Sequence, residues 1–165
     1  MQSGKVVTVG NIVAGEIIDL LRRFDLRLVI VDDDLPIYGS YWGDPEAGII
    51  GNTIYARGDT PIHSLLHETC HVICMTETRR DRLCRDAGGD DLEESAVCYL
   101  QVLLADCLQG VGRGRLMRDM DAWGYSFRLG STREWFEQDA EEARQFLLKH
   151  RLILESDTPA FALRS

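Results

Sequence analysis

A chain of 165 residues, 45% apolar and 27% charged, is long enough to bury a proper core and fits a single domain spanning 1–165 rather than a disordered or fibrous polymer. Its formal net charge of −9 argues against nucleic acid as a partner, because binding phosphates takes clustered lysine and arginine; cationic peptides or proteins are favoured electrostatically. No apolar signal core opens the chain and no apolar stretch has bilayer length, so a cytoplasmic location without a membrane partner is expected, and five cysteines with no CxxC pair fit reduced thiols.

In chain order, Asn11 caps an expected helix running to Phe24, with Ile12, Ile17, Ile18, Leu20 and Leu21 as its apolar set. Leu26 to Val31 reads as a buried strand. Asp32-Asp33-Asp34 before Pro36 reads as a solvated turn, since a calcium loop needs oxygen ligands at alternating positions and a distal glutamate. Tyr38, Tyr41 and Trp42 either line a cleft or cover the sheet. Ile49 to Ala56 is a second strand, weakest at Gly51 and Asn52, and it runs through Gly58 into a helix start with Asp59 or Thr60 as N-cap and Pro61 at the first helical position.

That helix carries His67-Glu68-Thr69-Cys70-His71, an HExxH pentapeptide. Residues four apart on a helix lie about 40° apart on one face, one turn above each other, so both imidazoles can reach one metal ion. Glu68 points to the side, where its carboxylate can reach water at the metal without taking a coordination position. Ser64 to Leu66 before the motif, Thr69-Cys70 within it and Val72-Ile73 after it are uncharged, as suits a metal helix in the floor of a cleft. His63 lies about 12 Å along the axis from His71, so the three histidines cannot share one ion. Cys74 is an alternative soft ligand but reads better as a buried thiol, and Cys70 reads as core.

A catalytic zinc takes a third protein ligand. Asp90 to Ala96 opens a second helix that continues to about Leu108 and stops at Gly110 and Gly112. Asp90 and Asp91 are explained by the helix dipole. Glu93 and Glu94 lie deeper, and one of them sits near the apolar face of Ala96, Leu100 and Leu103.

His67-Glu68-Thr69-Cys70-His71 followed by Glu93-Glu94-Ser95-Ala96 resembles the gluzincin pattern, in which HExxH precedes a glutamate ligand heading an E-x-x-A or E-x-x-S segment on a second helix. The resemblance covers residues 26 to 108 and looks most like the single-domain minigluzincin-type and ImmA/IrrE-like members. It implies Zn2+ held by His67, His71 and Glu93, with Glu94 as the register alternative, and a peptide or protein substrate cleaved with Glu68 activating water. It also implies an α+β zincin-like domain, a short mixed sheet packed on the HExxH helix with a glutamate-ligand helix and a C-terminal helix, the strand before the motif being an edge strand that pairs with extended substrate. Many gluzincins carry an aspartate four residues after the ligand glutamate that supports the first histidine; here that position is Val97, and Asp106, Asp119 or Asp121 are possible replacements.

Downstream, Gly112 to Asp121 and Ala122 to Gly130 precede a last amphipathic helix, Arg133 to about Leu148, capped by Ser131 or Thr132. Tyr125 is the first candidate donor to an oxyanion and Arg128 the second, against their ordinary uses as a packed aromatic and a surface ion pair. Two further readings compete with a zinc hydrolase. One is a non-catalytic or regulatory metal-binding module on the same scaffold; the other is a structural zinc closed by a fourth ligand such as Cys74. Cobalt, manganese or nickel would satisfy the same ligand set.

Overall fold

In the computed structural model, which describes residues 6–84 and 88–165, Asn11 caps a tighter turn than expected. Its side-chain oxygen accepts hydrogen bonds from the Thr8 backbone N–H and hydroxyl, both at 3.0 Å, and closes a 3-10 turn over Val9–Asn11. The first helix, α1 (Ala14–Arg22), therefore starts two residues later and buries Ile17, Leu20 and Leu21.

Three strands follow: β1 (Arg27–Val31), β2 (Gly48–Ile50) and β3 (Thr53–Arg57). The expected single strand over Ile49 to Ala56 is a hairpin, because Gly51 takes φ +60 and turns the chain with Asn52. β3 is central, parallel to β1 and antiparallel to β2, so the sheet is mixed with order β1-β3-β2. The strand directly before the HExxH helix is thus not an edge strand; the edges are β1 and β2, and Ile50 of β2 makes a single bridge to Cys84. Asp32, Asp33 and Asp34 form an exposed turn, as expected.

The HExxH helix is α2 (Ile62–Cys74), and every residue in it but His67 is buried. Pro61 stands one position earlier than expected, as N-cap with extended ψ of 141. Thr60 closes the preceding turn instead, its hydroxyl accepting the Arg57 N–H at 2.9 Å. A short α3 (Glu77–Arg80) precedes α4 (Asp91–Leu104), whose N-cap Asp90 accepts the Glu93 N–H at 2.9 Å. α4 gives way at Ala105–Cys107 to one 3-10 turn.

Gly112–Trp123 forms α5, a helix that the Gly/Arg-rich sequence does not announce. Its buried residues Leu116, Met117, Asp119 and Met120 share one face, and Gly124 ends it in the left-handed conformation at φ +111. The expected last helix is two: α6 (Thr132–Gln138), capped by Ser131, and α7 (Glu141–Lys149). The break falls at Asp139, which leaves helical geometry and is held by the Arg128 guanidinium. Trp135, Ala140, Ala143 and Leu147 still point inward across the break.

Among the described residues this is an α+β fold of seven α-helices and a three-stranded mixed sheet. One core cluster runs from Ile17 and Leu21 of α1 through Leu65 and Ile73 of α2 to Leu103 of α4 and Leu147 of α7. No helix among the described residues is long and apolar enough to cross a membrane.

Gly48, at the start of β2, is packed so that an added Cβ would collide with the Tyr38 carbonyl and the Ser40 N–H. Both obstacles are backbone. Gly48→Ala should therefore lower the unfolding free energy by about 3 kcal/mol, read as a reduced urea midpoint; an unchanged midpoint would mean that this loop packs differently.

Candidate metal centre

α2 and α4 cross so that three side chains converge. Glu94 Oε1 lies 3.0 Å from His67 Nε2 and 3.2 Å from His71 Nε2, and the three ligand atoms lie within 4.8 Å of one another. The imidazoles stand nearly perpendicular, with ring centroids 4.7 Å apart. One turn of helix thus delivers both nitrogens to one point, as the motif spacing requires.

The glutamate at that point is Glu94, not the Glu93 favoured by the resemblance. Glu93 turns about 100° away around α4. It is 3% exposed, and its Oε1 receives Arg79 at 2.8 Å and Arg164 at 3.4 Å. Its work is structural. Arg164 also donates to the carbonyls of Ile73 (backbone N–H, 3.0 Å) and Cys74 (guanidinium, 3.1 Å), while Arg80 reaches the carbonyls of Val72 and Met75. The carboxyl end of the HExxH helix is thereby capped by guanidinium groups, which suit its negative dipole end.

His67 has a supporting partner that the sequence reading did not consider. Gln101, two turns beyond Glu94 on the same face of α4, places Oε1 2.7 Å from His67 Nδ1 and donates Nε2 to the His63 carbonyl at 3.1 Å. That contact assigns hydrogen to His67 Nδ1 and turns Nε2 towards Glu94. Asp106, Asp119 and Asp121 are engaged elsewhere: Asp106 holds Arg113, Asp119 accepts from Val7 N–H and Arg115, and Asp121 accepts from Thr132. The signal that could have found Gln101 is an uncharged amide, 0% exposed, inside the apolar run of α4.

Glu68 is 8% exposed and faces the same cleft. Burial pushes its carboxyl above the usual range, with His67 and His71 opposing. For Glu94 burial acts in the same upward direction, but hydrogen bonds from His67 and His71 outweigh it and hold the carboxyl below the usual range. Burial disfavours a charged His67, yet its polar neighbours, the Glu94 carboxylate among them, outweigh it and raise its pKa. Buried side-chain atoms without a partner among the described residues include His71 Nδ1 and Glu94 Oε2. Glu94 therefore keeps a second oxygen free for an ion, and the donor set of two imidazoles and a carboxylate fits zinc.

The cleft has a volume of about 650 Å³, within the range of small-molecule and peptide sites. Tyr125 lines it, with its ring 5.9 Å from that of His67 and its hydroxyl 3.3 Å from His63 Nδ1. Burial pushes the Tyr125 hydroxyl up, so it keeps its proton, and burial pushes His63 down to about 3, so that ring is neutral. His63 does not line the cleft; it packs behind, against Trp123 and Tyr125. Arg128 is drawn off to Asp139 and takes no part. Cys70 and Cys74 are buried, and the group of converging ligand atoms is His67, His71 and Glu94 without Cys74. Of the loop aromatics, Trp42 lines the cleft, while Tyr38 stacks edge-on against Tyr55 of the sheet.

No family model, curated protein or solved structure matches this chain.

The two adjacent glutamates make opposite predictions. Glu94→Ala should abolish stoichiometric metal in elemental analysis, while the metal-free variant should keep an unfolding free energy within about 0.5 kcal/mol of the metal-free parent, because its side chain is partly exposed. Glu93→Ala should keep the metal ligands but cost about 2 kcal/mol, since it removes the buried carboxylate that Arg79 and Arg164 share. Gln101→Leu should weaken metal binding by about 10- to 100-fold in a chelator competition, through loss of the His67 support. Equal metal content in Glu94→Ala and the parent would remove Glu94 from the ligand set.

Proposed function

We propose that the protein is a zinc-dependent hydrolase, a small gluzincin-type metallopeptidase with a zincin-like fold, in which His67, His71 and Glu94 hold the metal and Glu68 is the general base. The observation that carries this reading is the convergence of three ligand atoms within 4.8 Å at the floor of a cleft that Glu68 also faces. With Glu94 as the ligand, Val97 takes the small-to-medium position three residues later, and Cys98 takes the place that an aspartate holds in many gluzincins. The Gln101 amide supplies the histidine support from one turn further along.

When bound, zinc supplies Lewis-acid polarisation of water and of a substrate carbonyl. Glu68 takes the proton from the attacking water. Its burial raises its basicity for that task, and the same carboxyl then passes the proton to the departing amine. Tyr125 keeps its proton and can donate to the oxygen of the tetrahedral centre. In the tautomer with hydrogen on Nδ1, His63 donates to the Tyr125 oxygen and leaves the Tyr125 O–H free to point at substrate. Gln101 holds His67 in one orientation throughout, so its ring need not reorganise.

The described residues offer three ligands and no fourth in the cluster, which favours an open position over a closed structural site. Glu68→Gln should retain one metal per chain and lose at least about 10³-fold in hydrolysis of any peptide that the parent cleaves. Tyr125→Phe should lose about 10- to 100-fold in kcat with KM little changed. Parent-like turnover by Glu68→Gln would overturn the mechanism, and the absence of turnover in the zinc-loaded parent across a diverse peptide library would favour a regulatory metal-binding module.

A further inference from the structure

The loop leading into β2 brings a second carboxylate to the cleft that the hydrolytic reading does not use. Glu46 precedes Ala47, whose N–H donates to Ser64 Oγ of α2 at 2.9 Å. Ser64 lies one turn before Glu68, so this bond fastens the Glu46 segment to the helix that carries the proposed chemistry. Glu46 Oε1 accepts the indole N–H of Trp123 at 3.3 Å. Its Oε2 is buried and has no partner among the described residues. Glu46 is close enough to Glu68 and Tyr125 to act on both electrostatically.

A carboxylate oxygen shut away from water with nothing to accept from is a standing cost, and such atoms concentrate where a ligand completes the bonding. The cleft lining contains no lysine or arginine among the described residues, and its His67 is turned to Glu94. Trp42, Trp123 and Phe127 add aromatic surface to the same lining. An aromatic wall beside an uncompensated carboxylate attracts cations twice, through ring faces and through charge. It repels acidic groups.

We propose that Glu46 is the specificity residue of the cleft, selecting substrates that present an ammonium or guanidinium group. This rests on the reading that the cleft admits peptides. The cation is either the free amino terminus of a peptide or a lysine or arginine side chain, and either would supply the donor that Oε2 lacks. A role confined to holding Trp123 would occupy one oxygen and leave the other buried for nothing.

The test is equilibrium binding to the zinc-loaded Glu68→Gln protein, by fluorescence anisotropy with carboxyl-terminally labelled peptides of one length. One series has a free amino terminus and no basic side chain, one is amino-acetylated with lysine or arginine, one is acetylated and neutral, and one is acetylated and acidic. At least one cationic series should bind ten-fold or more tighter than the neutral series, and the acidic series should bind weakest. The tighter series identifies the source of the cation. Adding Glu46→Gln, which keeps an acceptor for Trp123, should erase the preference, and Glu46→Lys should reverse it. Equal binding of neutral and cationic peptides, binding of none, or a preference that survives Glu46→Gln would overturn the proposal. A cation preference in peptides that the parent binds but never cleaves would leave Glu46 its role and overturn the peptidase reading instead.

Discussion

The side-chain amide of Gln101 is the contact on which the geometry of the centre depends. It is wholly buried and touches α2 twice, at the His67 ring and at the His63 carbonyl one turn earlier. Two contacts from one planar group fix both the rotation and the height of α4 against α2. Glu94, two turns back on the same face, is thereby aimed between the two imidazoles. The choice of an amide has a chemical side as well. A carboxylate in that place would carry a buried charge and push the basicity of the imidazole up, whereas an amide fixes the tautomer with no charge to bury.

Adjacent glutamates divide the electrostatics of α4. Glu94 turns to the histidines, and Glu93 turns to Arg79 and Arg164 at the far end of α2. The HExxH helix thus has acidic groups around its middle and guanidinium groups at its carboxyl end. The cationic groups are spent on backbone carbonyls and on Glu93, and the cleft keeps an excess of carboxylates. The chain's acidity is therefore not a uniform coat; in the cleft it is a local imbalance with aromatic walls.

Much of this was legible in the sequence where one local rule dominates. The spacing of His67 and His71, the uncharged surround of the motif and the Ser131 cap each express a single periodicity or cap. The register of α4 was not, because Glu93 and Glu94 each continue a plausible helical face, and the choice between them is made by Arg79, Arg164 and Gln101, distant partners without a local signature. Ile49 to Ala56 has strand character throughout, and only the positive φ at Gly51 turns it into a hairpin. α5 was missed because Gly112, Gly114 and three arginines within Gly112–Trp123 mask its short apolar face; burial against neighbouring helices overrides the weak propensity. The break between α6 and α7 depends on Arg128 gripping Asp139, again a contact between separated positions. Asn11 was recognised as a cap, but the side chain chose the shorter turn that Thr8 completes.

Arg164 gives the chain an order of completion. Its guanidinium reaches the Cys74 carbonyl across 90 positions of sequence, and its backbone N–H holds the Ile73 carbonyl. During synthesis, α2 can wind and meet α4 once about 108 residues have left the ribosome, but its carboxyl end keeps two carbonyls without these partners until residue 164 has been made. Contacts of that separation are slow to close, because a long loop must be ordered before they form. The nascent chain thus passes through a stage in which the histidines and Glu94 are already present while the last two carbonyls of their helix still lack the partners that Arg164 supplies.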